Sequence, residues 1–382
     1  MLQKTTKYGI IYPTSEKWGD TMNIVFLIGN GFDLNLGLKT RYRNFYDYYV
    51  ALPSKNTTIE KFKEVLSDNL DNWADLELEL GKYANNFGKE IQNDFVVLLY
   101  DIQDALANYL DKQDADFTIT EEDRKKAIND LLEFEKYLNE REREEFYSYK
   151  KPFQSNTFQV EIVTFNYTKT FEKIYGWNGR ALDLGIRKVG SSSYGNRMDM
   201  FEHIHGTTES NMILGVNDVS QIENEELRNS ILIRRALIKT EMNVNAGTMR
   251  DDRCVKAIER ADVICIYGMS LGDTDRFWWD KVGLRAAKSN ARLFVFSKVE
   301  DLPLRRAYIA SNKKDEVKNL FVSHLDFDEP SKEKIKKQTF VCLNSNMFKV
   351  KLNYPEKKTP LQIANENADA LTIAQKVLSS VN

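Results

Sequence analysis

One stretch constrains this chain more than any other: NIVFLIGNGFD, from Asn23 to Asp33, in which an unbroken apolar run breaks off on two glycines. A run apolar at every position marks a strand covered on both faces, and such strands occur in parallel sheets whose crossovers are helices. Gly29, Asn30, Gly31, Phe32 and Asp33 follow at once, where missing Cβ atoms let backbone amides approach a pyrophosphate at a helix N-terminus. The dinucleotide fingerprint has a third glycine where Leu34 stands, so a plain strand-to-helix turn fits the same residues. Gly37-Leu38-Lys39-Thr40 imitates the end of a phosphate-binding loop, but an extra residue between glycine and lysine breaks the cradle.

β character returns with Phe158 to Phe165, Phe201 to His205, Met212 to Leu214, Asp262 to Tyr267 and Arg292 to Phe296. Helical stretches stand between several of these: Thr168 to Tyr175, Asn224 to Met242, Arg250 to Ala261 and Asp273 to Ala287. The alternation predicts an α/β fold with a doubly wound, mostly parallel sheet. Over 54–154 the chain turns acidic and glycine-poor, and Trp73, Leu76, Leu80, Tyr83 and Phe87 open a series of apolar residues at helical spacing that runs to Tyr109. Thr120 ahead of Glu121, Glu122 and Asp123 reads as an N-cap, with Ile128, Leu131 and Leu138 carrying a second amphipathic helix toward Tyr149. The sequence thus divides into a nucleotide-binding domain over 1–53 and 155–300, an α-helical insertion over 54–154 and a mixed α/β C-terminal extension over 301–382. In the extension QTFVCL and MFKVKL read as strands, and Leu361 to Leu378 as a closing helix.

Charge and cysteine usage narrow the setting. Lys and Arg number 54 against 57 Asp and Glu, a net charge of −3, so no strong nucleic-acid binding is expected. Cys254, Cys265 and Cys342 lie far apart and form no C-x-x-C pair, which points to a reducing compartment, the cytoplasm, and away from a structural zinc module. The first residues lack the apolar core of a secretion signal, and the longest apolar runs fall far short of the roughly 20 residues that span a bilayer, so no membrane partner is expected.

Three further strand ends carry side chains suited to chemistry. Asn166, in Thr164-Phe165-Asn166-Tyr167-Thr168, falls at the carboxyl edge where open α/β sheets bind ligands, and a helix N-cap has the same look. His203-Ile204-His205-Gly206 sets two histidines on one strand face, the spacing of a metal pair, while His324 lies near Asp326 and Asp328 on another segment. A purely structural role for either histidine stays open. Gly268, Ser270 and Asp273 occupy a third end, a second place where backbone and hydroxyl groups meet ribose or phosphate, or else a capped turn. Trp278 and Trp279 on the following helix read as core or interface.

In order and spelling these ends resemble those of sirtuin-like NAD-binding proteins, whose pattern runs G-A-G, T-Q-N-x-D, histidine before glycine, then G-T-S. The matching residues are Gly29-Asn30-Gly31, Thr164 to Thr168, His205-Gly206 and Gly268-Met269-Ser270. More specifically, LIGNGFDLNLGLKTRY, WADLE (Trp73 to Glu77), FNYT, HIHG and YGMSLGDTD resemble the AbiH family of bacterial phage abortive-infection proteins, over about Asn23 to Ser297. The resemblance implies a sirtuin-like NAD hydrolase that releases nicotinamide and ADP-ribose without a metal and starves a phage-infected cell. It implies His205 as base and Asn166 as the residue that orients water and ribose. Gly29, Asn30, Gly31, Phe32 and Asp33 would line pyrophosphate and ribose, and Gly268, Ser270 and Asp273 would complete the adenosine end. His205 and Asn166 are expected at the cleft, outside the packed interior.

Two departures limit the carry-over. Thr168 stands where sirtuins have the acid that helps hold the nicotinamide pocket, and the four-cysteine zinc module is missing, so protein deacylation is not expected. The insertion is expected to cover the cleft as a lid or to carry a homo-oligomer or partner contact, with Glu77 either facing the cleft or solvated. The phage trigger is not written in the sequence. A non-catalytic sensor of NAD or ADP-ribose and a metal-dependent nuclease built on the two histidines are the rival functions.

Overall fold

The computed structural model describes residues 21–355 apart from 69–72, 74, 301, 303 and 304. Its sheet is built from β1 (Thr21–Ile28), β2 (Thr157–Thr164), β3 (Leu182–Val189), β4 (Ser192–His203), β5 (Val263–Tyr267), β6 (Arg292–Ser297) and β7 (Thr339–Leu343), in the order β3-β4-β2-β1-β5-β6-β7. Every neighbouring pair is parallel except β3 with β4. The protein is thus an α/β protein with a seven-stranded, mostly parallel sheet. With the antiparallel edge strand set aside, the order is that of the doubly wound dinucleotide folds, and the winding reverses between β1 and β5.

β1 shows why its run is apolar throughout. Ile24, Phe26 and Ile28 enter one core and Val25 and Leu27 the other, since successive side chains of a strand point to opposite faces. The first face is covered by helices Glu121–Leu132 and Glu140–Lys150, through Ala127, Leu131 and Phe146. The second is covered by helices Arg250–Arg260, Arg276–Lys288, Ala307–Ser323 and Glu329–Gln338, through Ile258, Trp279, Phe321 and Ile335.

A third core lies beyond the sheet. Helices Tyr42–Val50, Thr57–Asp68, Leu76–Tyr83 and Gln92–Gln113 gather around Phe62, Trp73, Leu80 and Phe95, joined by Leu214, Val216, Ile233 and Leu237 from the segment after β4. This is the helical cap. The expected single insertion is therefore divided: 42–113 build the cap, whereas 121–150 are a covering layer of the sheet itself. Thr120 caps the first helix of that layer by accepting from the Asp123 amide.

Other differences have local causes. β3 and most of β4 escape a search for apolar alternation because β3 is the exposed edge and the hairpin is largely polar, and the strand expected over Phe201 to His205 is the end of β4. Met212 to Leu214 form no strand; they run into the cap core, and Val216 bridges Ile238. That bridge holds Ile238 extended (φ −94°, ψ 114°), which breaks the helix expected over 224–242 and sets Lys239 at the start of a new one. QTFVCL supplies β7, so the C-terminal region completes the sheet. MFKVKL is irregular, with Met347 and Phe348 inserted in the core and Phe348 at φ 58°. The expected closing helix at Leu361 to Leu378 lies outside the described residues. Among the described residues no helix is long and apolar enough to cross a membrane.

Candidate active site

The turns after β1 and β5 meet at the carboxyl edge, at the winding reversal. The Gly29 amide donates to the Tyr267 carbonyl at 2.9 Å and the Gly31 amide to the Gly268 carbonyl at 2.8 Å. Gly268 has φ 68°, and a Cβ there would stand 2.7 Å from the Gly31 Cα. The glycines are thus demanded by one another, and the amides expected to cradle a pyrophosphate are spent on the neighbouring turn. Asn30 is committed as well, donating to the Thr40 carbonyl at 2.8 Å. Phe32 is core, packed against Phe171 and Phe348 with ring centroids at 5.3 and 5.6 Å.

Asp33 does reach a polar site. It is 1% exposed, one oxygen accepts the Thr168 hydroxyl at 2.6 Å, and the other has no partner among the described residues. Thr168, which replaces the acid of the sirtuin-like pattern, thus holds a carboxylate supplied by the β1 turn. Burial pushes the Asp33 carboxyl up to about 7, with Asp114 adding to the rise and Thr168 and Asn166 opposing it. Since the unfolded chain ionises this group near 3.8, stability falls as pH rises from there through about 7. Asp33→Asn is expected to melt above the wild type at pH 8, by up to about 4 kcal/mol, and level with it at pH 4. Calorimetry at the two pH values checks this; a gain of equal size at both would contradict it.

Beside Asp33 stands Asn166, buried, its side-chain oxygen without a partner among the described residues. Its carbonyl accepts from His203 Nδ1 at 2.7 Å, while His203 Nε2 lies 2.6 Å from Glu172 Oε1. With both ring nitrogens occupied, His203 positions the Asn166 backbone and does not pair with His205 around a metal. Among the described residues no group of three His, Cys, Asp or Glu side chains is placed to hold a metal ion.

His205 faces another cluster. Contrary to its expected place outside the packed interior, it is only 4% exposed, edge-on to Phe165 at 5.4 Å. Its Nε2 lies 3.6 Å from Asp275 Oδ1, and the same oxygen accepts Lys239 Nζ at 2.9 Å. Lys239 also donates to Glu77 Oε2 at 2.8 Å and to the Thr274 carbonyl at 3.2 Å. The Tyr167 hydroxyl donates to the Ile213 carbonyl at 2.8 Å and stands 3.4 Å from Glu77 Oε1. Glu77 is thus buried, and the cap delivers it to the site. A small cavity of about 10 Å³, room for about one water, lies here, lined by His205, Asn217, Lys239, Asn243, Asp275 and Trp278 among others.

Burial, with Lys239 adding to it, pushes the His205 imidazole down to about 3, so it is neutral at physiological pH. Burial, opposed by Lys239, pushes Glu77 up to about 7. Burial works to raise Asp275 too, but Lys239 and His205 outweigh it and hold that carboxyl below its ordinary range. The Lys239 ammonium is kept charged by the two carboxylates against its own burial.

Ser270 and Asp273 do not join this site. Both are exposed, and Asp273 accepts from His324 Nδ1 at 3.0 Å. The short helical turn Asp273–Asp275 sends the first acid outward and the second inward. Sequence reasoning missed Asp275, Tyr167 and Lys239. The first two stood in quoted motifs, GDTD and FNYT, whereas Lys239 carried no signal.

No curated protein matches the chain. The family described as bacteriophage abortive infection AbiH matches residues 25–297, more than two-thirds of the sequence and every residue of the site described above, and the chain belongs to that family.

Proposed function

We propose that this protein hydrolyses the nicotinamide–ribose bond of NAD as the toxic step of abortive infection. The observation that carries this reading is a His205 buried at the carboxyl edge of a Rossmann-like sheet, its ring against Phe165 and Tyr167, the two neighbours of Asn166, whose own side chain joins the adjoining cluster at Asp33. Departure of nicotinamide builds positive charge on the ribose, so catalysis needs a placed water, an acceptor for its proton and nearby negative charge. His205 accepts the proton, Asn166 orients the water or a ribose hydroxyl, and Asp33, ionised above about 7, faces the developing charge.

The cavity, at about 10 Å³, holds about one water and falls far below the roughly 300–1,000 Å³ usual for ligand sites, so the cap has to move before NAD enters. On this reading the enzyme rests closed and a phage trigger opens it. Docking of a partner or a second copy on the cap belongs to the same proposal, since Val65, Val97 and Tyr100 are exposed on its helices. The free, buried cysteines suit the cytoplasm.

Incubation of the purified protein with NAD, with nicotinamide followed by chromatography, is expected to yield nicotinamide and ADP-ribose in equal amounts, and added chelator is expected to leave the rate unchanged. Chelator inactivation would instead favour metal chemistry. Binding of NAD without turnover is the second reading, and NAD binding measured by calorimetry with no product formed in vitro or in cells challenged with phage would establish it.

A further inference from the structure

We propose that Lys239 is the positioning residue of this site: by occupying Asp275 it denies that carboxylate to His205, and Glu77, delivered by the cap, holds the lysine at that post. One oxygen is contested. Asp275 Oδ1 lies 2.9 Å from Lys239 Nζ and 3.6 Å from His205 Nε2, so the lysine has the hydrogen bond and the imidazole does not. An ammonium has three N–H donors, and Lys239 meets three acceptors: Glu77 Oε2, Asp275 Oδ1 and the Thr274 carbonyl. A lysine with 7% of its side chain exposed is tolerated only when so paired.

While Lys239 holds Asp275, the imidazole keeps a lone pair with which to accept a proton. Without the lysine, Asp275 closes on His205 as a carboxylate–imidazolium pair that has no lone pair to offer. The charged groups around His205 favour this competition: Lys239 and Arg250 repel a proton from it, Asp275 attracts one, Glu77 and Asp75 stand behind the lysine, and Asp251 lines the cavity. Glu77 belongs to helix Leu76–Tyr83 of the cap, so seating of the cap and readiness of the histidine are linked.

The consequence for turnover rests on the NAD reading, but the competition does not, and NMR titration of the histidine ring protons separates them. The full chain is compared with Lys239→Met/Glu77→Gln, in which Glu77 carries no charge and Asp275 alone loses the lysine and is left to His205, and with Lys239→Gln in case the double variant does not fold. His205 is assigned by the signal lost in His205→Gln. Wild-type His205 is expected to stay neutral down to about pH 4, and in either folded variant its midpoint is expected to rise toward the ordinary value of 6.5. Lys239→Arg, which keeps the charge, is expected to leave it low. NAD turnover by the variants then fails below the new midpoint and recovers above it. If the wild type shows no turnover the NAD reading falls while the titration still decides the role of Lys239. A His205 midpoint that stays below pH 4 in a folded variant lacking the lysine charge overturns the proposal.

Discussion

Replacing His205 by glutamine is expected to lower NAD turnover by about 100- to 10,000-fold, the usual contribution of a general acid–base group. Glutamine is the right replacement because the imidazole is enclosed by Phe165, Tyr167 and the Lys239–Asp275 pair. Alanine would empty a packed volume and mix a folding defect with a chemical one. Glutamine keeps most of the bulk and removes the basic nitrogen, so the melting temperature should move little while kcat collapses. Asn166→Ala is expected to cost turnover in the same way. His203→Ala should be milder, since it loosens the Asn166 backbone without removing a group from the site. Initial rates with saturating NAD, read beside melting curves, check all three; a His205→Gln protein that works at the wild-type rate ends the case for this histidine as the base.

Gly268→Ala is expected to destabilise the fold by about 2–5 kcal/mol, combining left-handed strain with overpacking. Its φ is 68°, and the added carbon would meet the Cα and carbonyl carbon of Gly31 at 2.7 and 2.8 Å, backbone that no side-chain rotation can clear. Gly179→Ala is the control: φ is 84° there, with nothing within 4 Å of the added carbon, so only the conformational cost of about 1–2 kcal/mol applies. Urea unfolding of both variants measures the difference. Equal losses would show that the meeting of the two turns does not require Gly268.

These two positions also mark what could be read from residues alone. β1 announced itself, because a strand that feeds two cores must be apolar at every position, and the turn after it announced glycines. Whether such a turn opens toward a ligand or is filled by a second turn depends on how closely β1 and β5 approach, which no local pattern encodes. The strand ends carrying Asn166 and His205 were legible for the same reason as β1. Which acid of Asp273-Thr274-Asp275 turns inward was not, because it follows from a tight turn entered through a left-handed Leu271 at φ 55°. Lys239 was hidden more deeply. Its helix is set off by an Ile238–Val216 bridge, and its partners come from the cap and from a loop 36 positions on, so the cluster exists only in three dimensions. The cap itself was visible as a change of composition, but helices serving the sheet and helices serving a separate core share one amphipathic signature.

The family match ends at residue 297, yet the sheet does not: β7 pairs with β6 from Leu293–Thr339 to Ser297–Leu343. Beyond β7, the Met347 carbonyl accepts from the Asn35 side chain and the Tyr267 hydroxyl, both at 3.0 Å, and the Phe348 ring packs on Phe32 and Tyr267. The turns that carry Asp33 and Gly268 are thus braced from behind by a segment that lies outside the shared region. The stretch that the family model matches is thus smaller than the unit that folds. Substitutions in this buttress would therefore change how firmly the two turns are held while every residue of the site stays the same.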